Sequence, residues 1–305
     1  MCLWAGSALM PNLINEAANR DIPMILVDLN RDDSPARRPK WLPDLTRSSL
    51  AHFETIMTNN QGAADMLHRI GVPSYKITVS EPLRNGPSPP SFPEDDLSAT
   101  SQQLAGRPLW LAAYAQVDEF EPILAAHRFA LKLVHRLLLV LNVADPVTLD
   151  RLAENLKSTG LRFARWQIGD DIDDNTQVLI FDEEGDLGLW YRMAPLTFMA
   201  SSLTIGNTGR SPLEAVALGS AILFGPHVLG HRATYSRLAS VGAGRTVGDA
   251  TGLGTVVTRL VAPDHAAAMA LAGWQVVTEG AELTDQLVEL VQDQLDLRGA
   301  NNARP

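Results

Sequence analysis

The sequence predicts an α/β protein built from two doubly wound domains, and three observations predict it. Short runs rich in Val, Ile and Leu alternate with longer stretches of helical period, the pattern of βαβ units on a parallel sheet. The segment NGPSPPSFPEDD breaks that alternation with Pro87, Pro89, Pro90 and Pro93, which neither a helix nor a central strand tolerates. The chain has 305 residues, 46% of them hydrophobic, enough for two cores of ordinary size.

The first domain is expected over residues 1–84. The opening MCLWAGSALMPNLI has no positively charged n-region and runs into a helix start, so it reads as the middle of a domain and not as a signal peptide. Residues 11–20 suit a helix with Pro11 in its first turn, and residues 24–28 (MILVD) suit a buried strand. Residues 61–70 form an amphipathic helix with Ala64, Leu67 and Ile70 on one face and Gly71 at its C-cap; residues 75–79 are a further strand. Residues 85–107 are the expected linker.

The second domain is expected over residues 108–298, with strands at 109–114, 137–141, 161–166, 178–182, 196–200 and 221–225 and helical stretches between them. Residues 281–297 read as a helix with an acidic face, and the last seven residues as a frayed end.

Composition excludes several functional classes. The formal net charge of -10 repels phosphate backbones, and no basic stripe offsets it, so nucleic acid is not an expected partner. A single cysteine, Cys2, leaves no internal disulfide and no cysteine metal site, which fits a reducing compartment and makes the cytoplasm the default. The most apolar run, residues 137–143, is far shorter than the ~20 residues a membrane-spanning helix needs.

In open α/β sheets ligands bind beyond the carboxyl ends of the strands, so the loops after Asp182, Ala200 and Gly225 are the first candidates. In FDEEGDLG, Gly185 and Asp186 open a helix where backbone N–H groups can approach a ligand; a plain strand-turn-helix connection is the simpler reading. In SSLTIGNTGRSPLEAVALG, Gly206, Asn207, Thr208 and Gly209 lead to Arg210 and Ser211. Ser211, Pro212 and Glu214 have the spacing of an N-cap, first helical position and capping box, while Arg210 beside a helix start suits a phosphate. Glu214 is therefore either a capping residue or an acceptor for ribose hydroxyls. His227 and His231 are four apart, but Pro226 and Gly230 argue for a loop and against a metal. The acidic GDDIDD, with Asp171 and Asp173, is read as a solvated turn in preference to a metal site. Asp28, Asp32 and Asp33, beside Arg31, either line a cleft between domains or form an exposed turn.

Taken in order, GDLGLWY, SSL and RSPLEAVALGSAILFGPH resemble the carboxyl-terminal half of the 3-deoxy-D-manno-octulosonic acid (Kdo) transferases, whose pattern runs G-E-L-G-L-x-Y, G-G-S-L, G-G-H-N-x-L-E-P-A-A-L-G and L-F-G-P-H. LWLAAY sits where that family has W-L-A-A-S-T, and ALMPNLINEAANRDIPMILVD resembles its E-L-W-P-N-L-I stretch with the following helix and strand. The resemblance covers nearly the whole chain. It implies a GT-B glycosyltransferase of two Rossmann-like domains, the first incomplete, moving Kdo from CMP-Kdo to a lipid A precursor at the cytoplasmic face of the inner membrane in lipopolysaccharide biosynthesis, with no metal on the donor and no cofactor.

By that resemblance the first domain serves the acceptor and the second the CMP-sugar donor. Gly185 and Asp186 fall at the cytosine, and Ser202, Gly209, Arg210, Ser211 and Glu214 around the ribose and phosphate. The family's general base falls in βα units ahead of Met1, so the resemblance assigns no catalytic residue here. The chain departs from the pattern where G-G-H-N becomes Gly209, Arg210 and Ser211, and where P-R-H-P falls on residues 142–146 without its Arg and His. Two other readings stay open: a catalytically decayed paralogue acting as a binding or scaffold protein, and another sugar-nucleotide enzyme, using a UDP-sugar, on the same architecture.

Overall fold

The computed structural model describes residues 1–6, 8–30, 46–80, 82–83, 89–261, 263–279 and 281–302. Arg31, Asp32 and Asp33 lie outside the described residues, as does Pro87. Contacts within the chain divide it into two compact units, Met1–Gly86 with Thr278–Pro305, and Pro87–Val277.

In the first unit a parallel sheet runs in the order β1 (Cys2–Ala5), β2 (Met24–Leu29), β3 (Thr55–Thr58), β4 (Ile77–Val79). It is interleaved with α1 (Pro11–Asn19), α2 (Thr46–Ala51) and α3 (Gln61–Arg69). Pro11 occupies the first turn of α1, where a missing N–H costs nothing. Asn60 caps α3 by accepting from the Ala63 N–H, and Gly71 follows its end at φ +88°. One core, with Ile14, Met24, Leu26, Phe53, Ile56 and Leu67, joins these helices to the sheet.

The sequence reading missed β1 and β3. It also extended β4 over residues 75–76, which lie in a 3-10 turn at Ser74–Lys76. These strands span only three or four residues, too few for alternation to register above a helical pattern.

The second unit holds a seven-stranded parallel sheet. Its elements run α4 (Glu94–Leu104), β5 (Leu109–Ala115), α5 (Phe120–Leu131), β6 (Leu138–Val143), α6 (Leu149–Thr159), β7 (Phe163–Arg165) and β8 (Val178–Phe181). They continue with α7 (Leu187–Met193), β9 (Leu196–Met199), α8 (Leu213–Ala217), β10 (Ala221–Phe224), α9 (Arg232–Ser240), β11 (Gly244–Thr246), α10 (Ala250–Leu260) and α11 (Pro263–Thr278). The spatial order is β11-β10-β9-β5-β6-β8-β7. From β5 the chain therefore winds outward through β6 to the edge strand β7, steps back to β8 between them, and then crosses to the other side of β5 with β9. That reversal leaves a crevice at the carboxyl ends of β5 and β9.

Both faces of this sheet are covered, which is why its strands read as continuous apolar runs. Trp110 and Ala112 of β5 enter one core, with Phe120, Leu139, Leu141, Leu253 and Val257. Leu109, Leu111 and Ala113 enter the other, with Trp190, Tyr191, Phe224 and Tyr235. Each fully buried Leu, Ile or Val is worth roughly 1.5–3 kcal/mol.

Two stretches differ from their sequence reading. Within the segment read as linker, residues 94–104 form α4, whose Thr100 and Leu104 are buried and which packs on α7. Three acidic residues in its first turn favour a helix there despite the preceding prolines. The tail expected to close the second domain is α12 (Ala281–Asn302), which groups with the first unit and sets Leu287 and Leu290 against Ile25, Val27 and Met57. Among the described residues no helix is long and apolar enough to cross a membrane.

Candidate functional site

The crevice at the carboxyl ends of β5 and β9 is framed by backbone that few residues adopt. Tyr114 has φ +59° within a register shift between Ala112 and Ala115, and its N–H, lost to the ladder, donates to Asn142 Oδ1 on β6 at 3.1 Å. Ser201, just past β9, has φ +55°. The two brace each other: Ser201 Oγ donates to the Tyr114 carbonyl at 2.7 Å and accepts from Gln116 Nε2 at 3.1 Å. Left-handed backbone at two non-glycine residues costs roughly 1–3 kcal/mol each and persists only where surrounding contacts hold it.

Glu119 supplies much of that hold. Its fully buried carboxylate accepts from four backbone N–H groups: Ser201 at 2.6 Å, Ser202 at 2.9 Å, Leu203 at 2.7 Å and Gln116 at 3.2 Å. The turn after β9 is thus tied to the turn after β5 by one carboxylate. The sequence reading passed over Glu119. Its one signal was the Gln116-x-x-Glu119 spacing at a strand end, here a formed capping box.

Past this anchor, the loop crosses β10 closely. A Cβ on Gly225 would lie 2.1 Å from the Ser202 carbonyl oxygen, so only glycine lets the two backbones meet. Ser202 Oγ donates to the Met199 carbonyl and accepts from the Gly225 N–H at 2.7 Å, and the residue is fully buried. Both its hydrogen-bonding roles are internal, so Ser202 shapes the loop from beneath and offers a ligand no surface. Gly209, at φ +80°, donates its N–H to the Ser201 carbonyl and backs onto Val228, which turns the next residue outward.

That residue is Arg210. Its guanidinium carbon lies 5.0 Å from the centre of the Tyr114 ring, and its carbonyl accepts from the Tyr235 hydroxyl at 2.7 Å. Tyr235 is itself buried, with its hydroxyl pKa raised by burial. Burial, then the negative charges of Glu184 and Glu214, holds the Tyr114 hydroxyl above its ordinary pKa.

Glu214 faces the same place. Partial burial, and secondly Glu184, raise its carboxyl above the usual range. The capping box expected of Ser211 and Glu214 does not form. Pro212 is the N-cap of α8 with no side-chain cap bond, and Ser211 Oγ accepts only a long 3.4 Å contact from the Leu213 N–H. The Ser-Pro pair places the proline one position early, and Glu214 is left free of the helix end.

The Gly185 turn is on this side of the sheet, since Glu184, its neighbour, acts electrostatically on both Glu214 and Tyr114. A Cβ on Gly185 would meet nothing, so neither space nor backbone demands glycine there. Asp186 lies partly buried; burial, then Glu183, raises its pKa. The glycine the fold does require is Gly188, whose Cβ would come 2.5 Å from the Pro90 carbonyl. Helices α7 and α8 have seven and five residues, too short to lend their starts much dipole, so Arg210 is the principal positive group here.

The fold thus brings Gly185, Asp186, Gly209, Arg210, Ser211 and Glu214 to one end of one sheet, adds Tyr114 and Glu184, and withdraws Ser202 into the interior. His227 and His231 lie beyond β10 in a loop and a 3-10 turn, and no group of three metal-type side chains occurs among the described residues. Asp173 caps its own turn, accepting from the Asn175 and Thr176 N–H groups, as expected of a solvated turn. Asp28, at φ +57°, accepts from Asn59 Nδ2 and the Leu83 N–H within the first unit.

Comparison with known proteins agrees with this architecture. Residues 1–85 match the family model for 3-deoxy-D-manno-octulosonic-acid transferase (kdotransferase). Over 97% of its length the chain is 25% identical to the 3-deoxy-D-manno-octulosonic acid transferase of Haemophilus influenzae, of which it covers 70%; over 93% it is 27% identical to that of Bordetella pertussis, of which it covers 67%. The crystal structure of the C-terminal CMP-Kdo binding domain of WaaA from Acinetobacter baumannii superimposes with a TM-score of 0.57 at 23% identity, covering 61% of this chain and 97% of that domain. The chain is thus similar in sequence to Kdo transferases over nearly its whole length, and over 61% of it shares the fold of that C-terminal domain.

Proposed function

We propose that the protein is a Kdo transferase, taking Kdo from CMP-Kdo to a hydroxyl of a lipid A precursor in lipopolysaccharide biosynthesis, as a peripheral protein of the inner membrane's cytoplasmic face. The relatives' activity supports the reaction, and one observation supports the donor site: Arg210, Glu214 and the Gly185 turn converge beside Tyr114 at the crevice where the sheet order reverses.

In this reading the second unit holds the donor and the first the acceptor. The cytosine lies at Gly185 and Asp186. The ribose hydroxyls donate to Glu214, whose carboxylate the failed capping box leaves available. Gly209 and Ser211 shape the loop around the phosphate, and Ser202 fixes that loop from below. The acceptor oxygen attacks the anomeric carbon, the bond from that carbon to the CMP oxygen breaks, and the acceptor proton passes to a base. Negative charge builds on the departing phosphate, and Arg210 is placed to meet it.

Calorimetric titration of CMP and UDP against the chain and its Glu214→Ala variant tests the donor site. CMP binding that the variant weakens supports it; silence with CMP, or a preference for UDP, overturns it. Transfer of radiolabelled Kdo to a lipid acceptor by the purified chain separates an enzyme from a decayed paralogue that only binds.

A further inference from the structure

Arg210 shows an arrangement that surface arginines rarely keep. Its backbone is pinned by the Tyr235 hydroxyl, its guanidinium lies over the Tyr114 ring, and no carboxylate among the described residues stands within ion-pair distance of it. The ring lies beneath the guanidinium, and no side-chain hydrogen bond or ion pair among the described residues takes up its N–H groups, a fork that matches two oxygens of one phosphate or carboxylate. Tyr114 reaches this place only because its bulge and left-handed backbone are braced by Asn142 and Ser201.

Resting on the donor-site reading above, we infer that Tyr114 is a positioning residue for the donor: its ring is a shelf that holds Arg210 edge-on to the phosphate, so that the site selects a nucleoside monophosphate over the bare nucleoside. A guanidinium held over an aromatic ring adds little to stability but favours one rotamer of a long side chain before the ligand arrives. The negative charges of Glu184 and Glu214 also act on Tyr114, and Arg210 opposes them there.

The test compares dissociation constants of CMP and cytidine for the full chain and three variants. The wild type should favour CMP by roughly 10- to 100-fold, the worth of a charge-assisted contact. Tyr114→Leu should cut that preference about two- to fivefold with cytidine affinity unchanged, and Tyr114→Phe, which keeps the ring, should restore it. Arg210→Lys keeps the charge but not the stack and should lose as much as Tyr114→Leu; it decides the matter if the leucine variant fails to fold. An intact CMP preference in Tyr114→Leu or Arg210→Lys would overturn the inference, as would an equal loss for cytidine or a phenylalanine variant as impaired as the leucine one. A wild type that binds both ligands equally refutes the shelf and leaves the nucleoside site standing. A wild type that binds neither removes the donor site, and the shelf with it.

Discussion

Replacing Glu119 by Gln should cost the second unit a large part of its stability. The carboxylate accepts four N–H groups, two on each oxygen: Ser202 and Leu203 on Oε1, Gln116 and Ser201 on Oε2. An amide of the same shape turns one oxygen into an NH2, so two backbone donors face another donor in a place water does not reach. Each unsatisfied buried donor costs about 1–3 kcal/mol, and the remaining pair loses the charge that strengthened it. The sum, about 3–6 kcal/mol, is a sizeable fraction of the ~5–15 kcal/mol that holds a typical domain. Denaturant unfolding gives the global figure, and amide exchange followed by mass spectrometry gives the local one. The variant should exchange fastest at residues 201–203 and 116, ahead of the β5 and β9 cores. A loss under about 1 kcal/mol, with protection at 201–203 unchanged, would mean that the two turns are held by something other than this carboxylate.

Other predictions follow from the same geometry. His127 is buried and neutral between the Trp110 Nε1–H and the Gln177 carbonyl, with its pKa lowered from 6.5 to about 3 by burial. The unfolded chain binds a proton there that the folded one refuses, so stability should fall as pH drops from 6.5 towards 3, by ~2 kcal/mol at pH 5; a His127→Gln variant whose stability falls as steeply over that window would contradict this. For the ligand, CMP affinity should decline as acid protonates Glu214, whose pKa is raised by burial and by Glu184. Glu184→Gln removes the repulsion and should move that decline to lower pH, read by titration calorimetry across pH; a shift to higher pH refutes the pairing. Gly225→Ala should lower the melting temperature, with overpacking of about 1–3 kcal/mol or more, while Gly185→Ala should leave it unchanged or slightly raised. Because Gly185→Ala spares the fold, any CMP affinity it loses reports contact with the ligand.

Much of the second sheet was legible in the sequence, because a parallel strand buried on both faces writes itself as an unbroken apolar run, as in residues 109–114 and 178–181. The strands that escaped, β1, β3 and β11, have three or four residues each. Arg210, Glu214 and the Gly185 turn were legible because they sit in glycine-rich loops after such runs. Their mutual placement was not, since it depends on β9 returning to the far side of β5.

What the sequence alone determined was the class of the fold, the loops at its carboxyl edge and the polar residues in them; local propensity and hydrophobic period carry that much. Tertiary structure decided which of those residues face outward. It turned Ser202 inward under the Gly225 crossing, denied Glu214 its capping box, and made Glu119 a four-donor anchor and Tyr114 a shelf. It also set α12 against the first unit. Each of these rests on contact between residues far apart along the chain, and no window of neighbouring letters contains both partners.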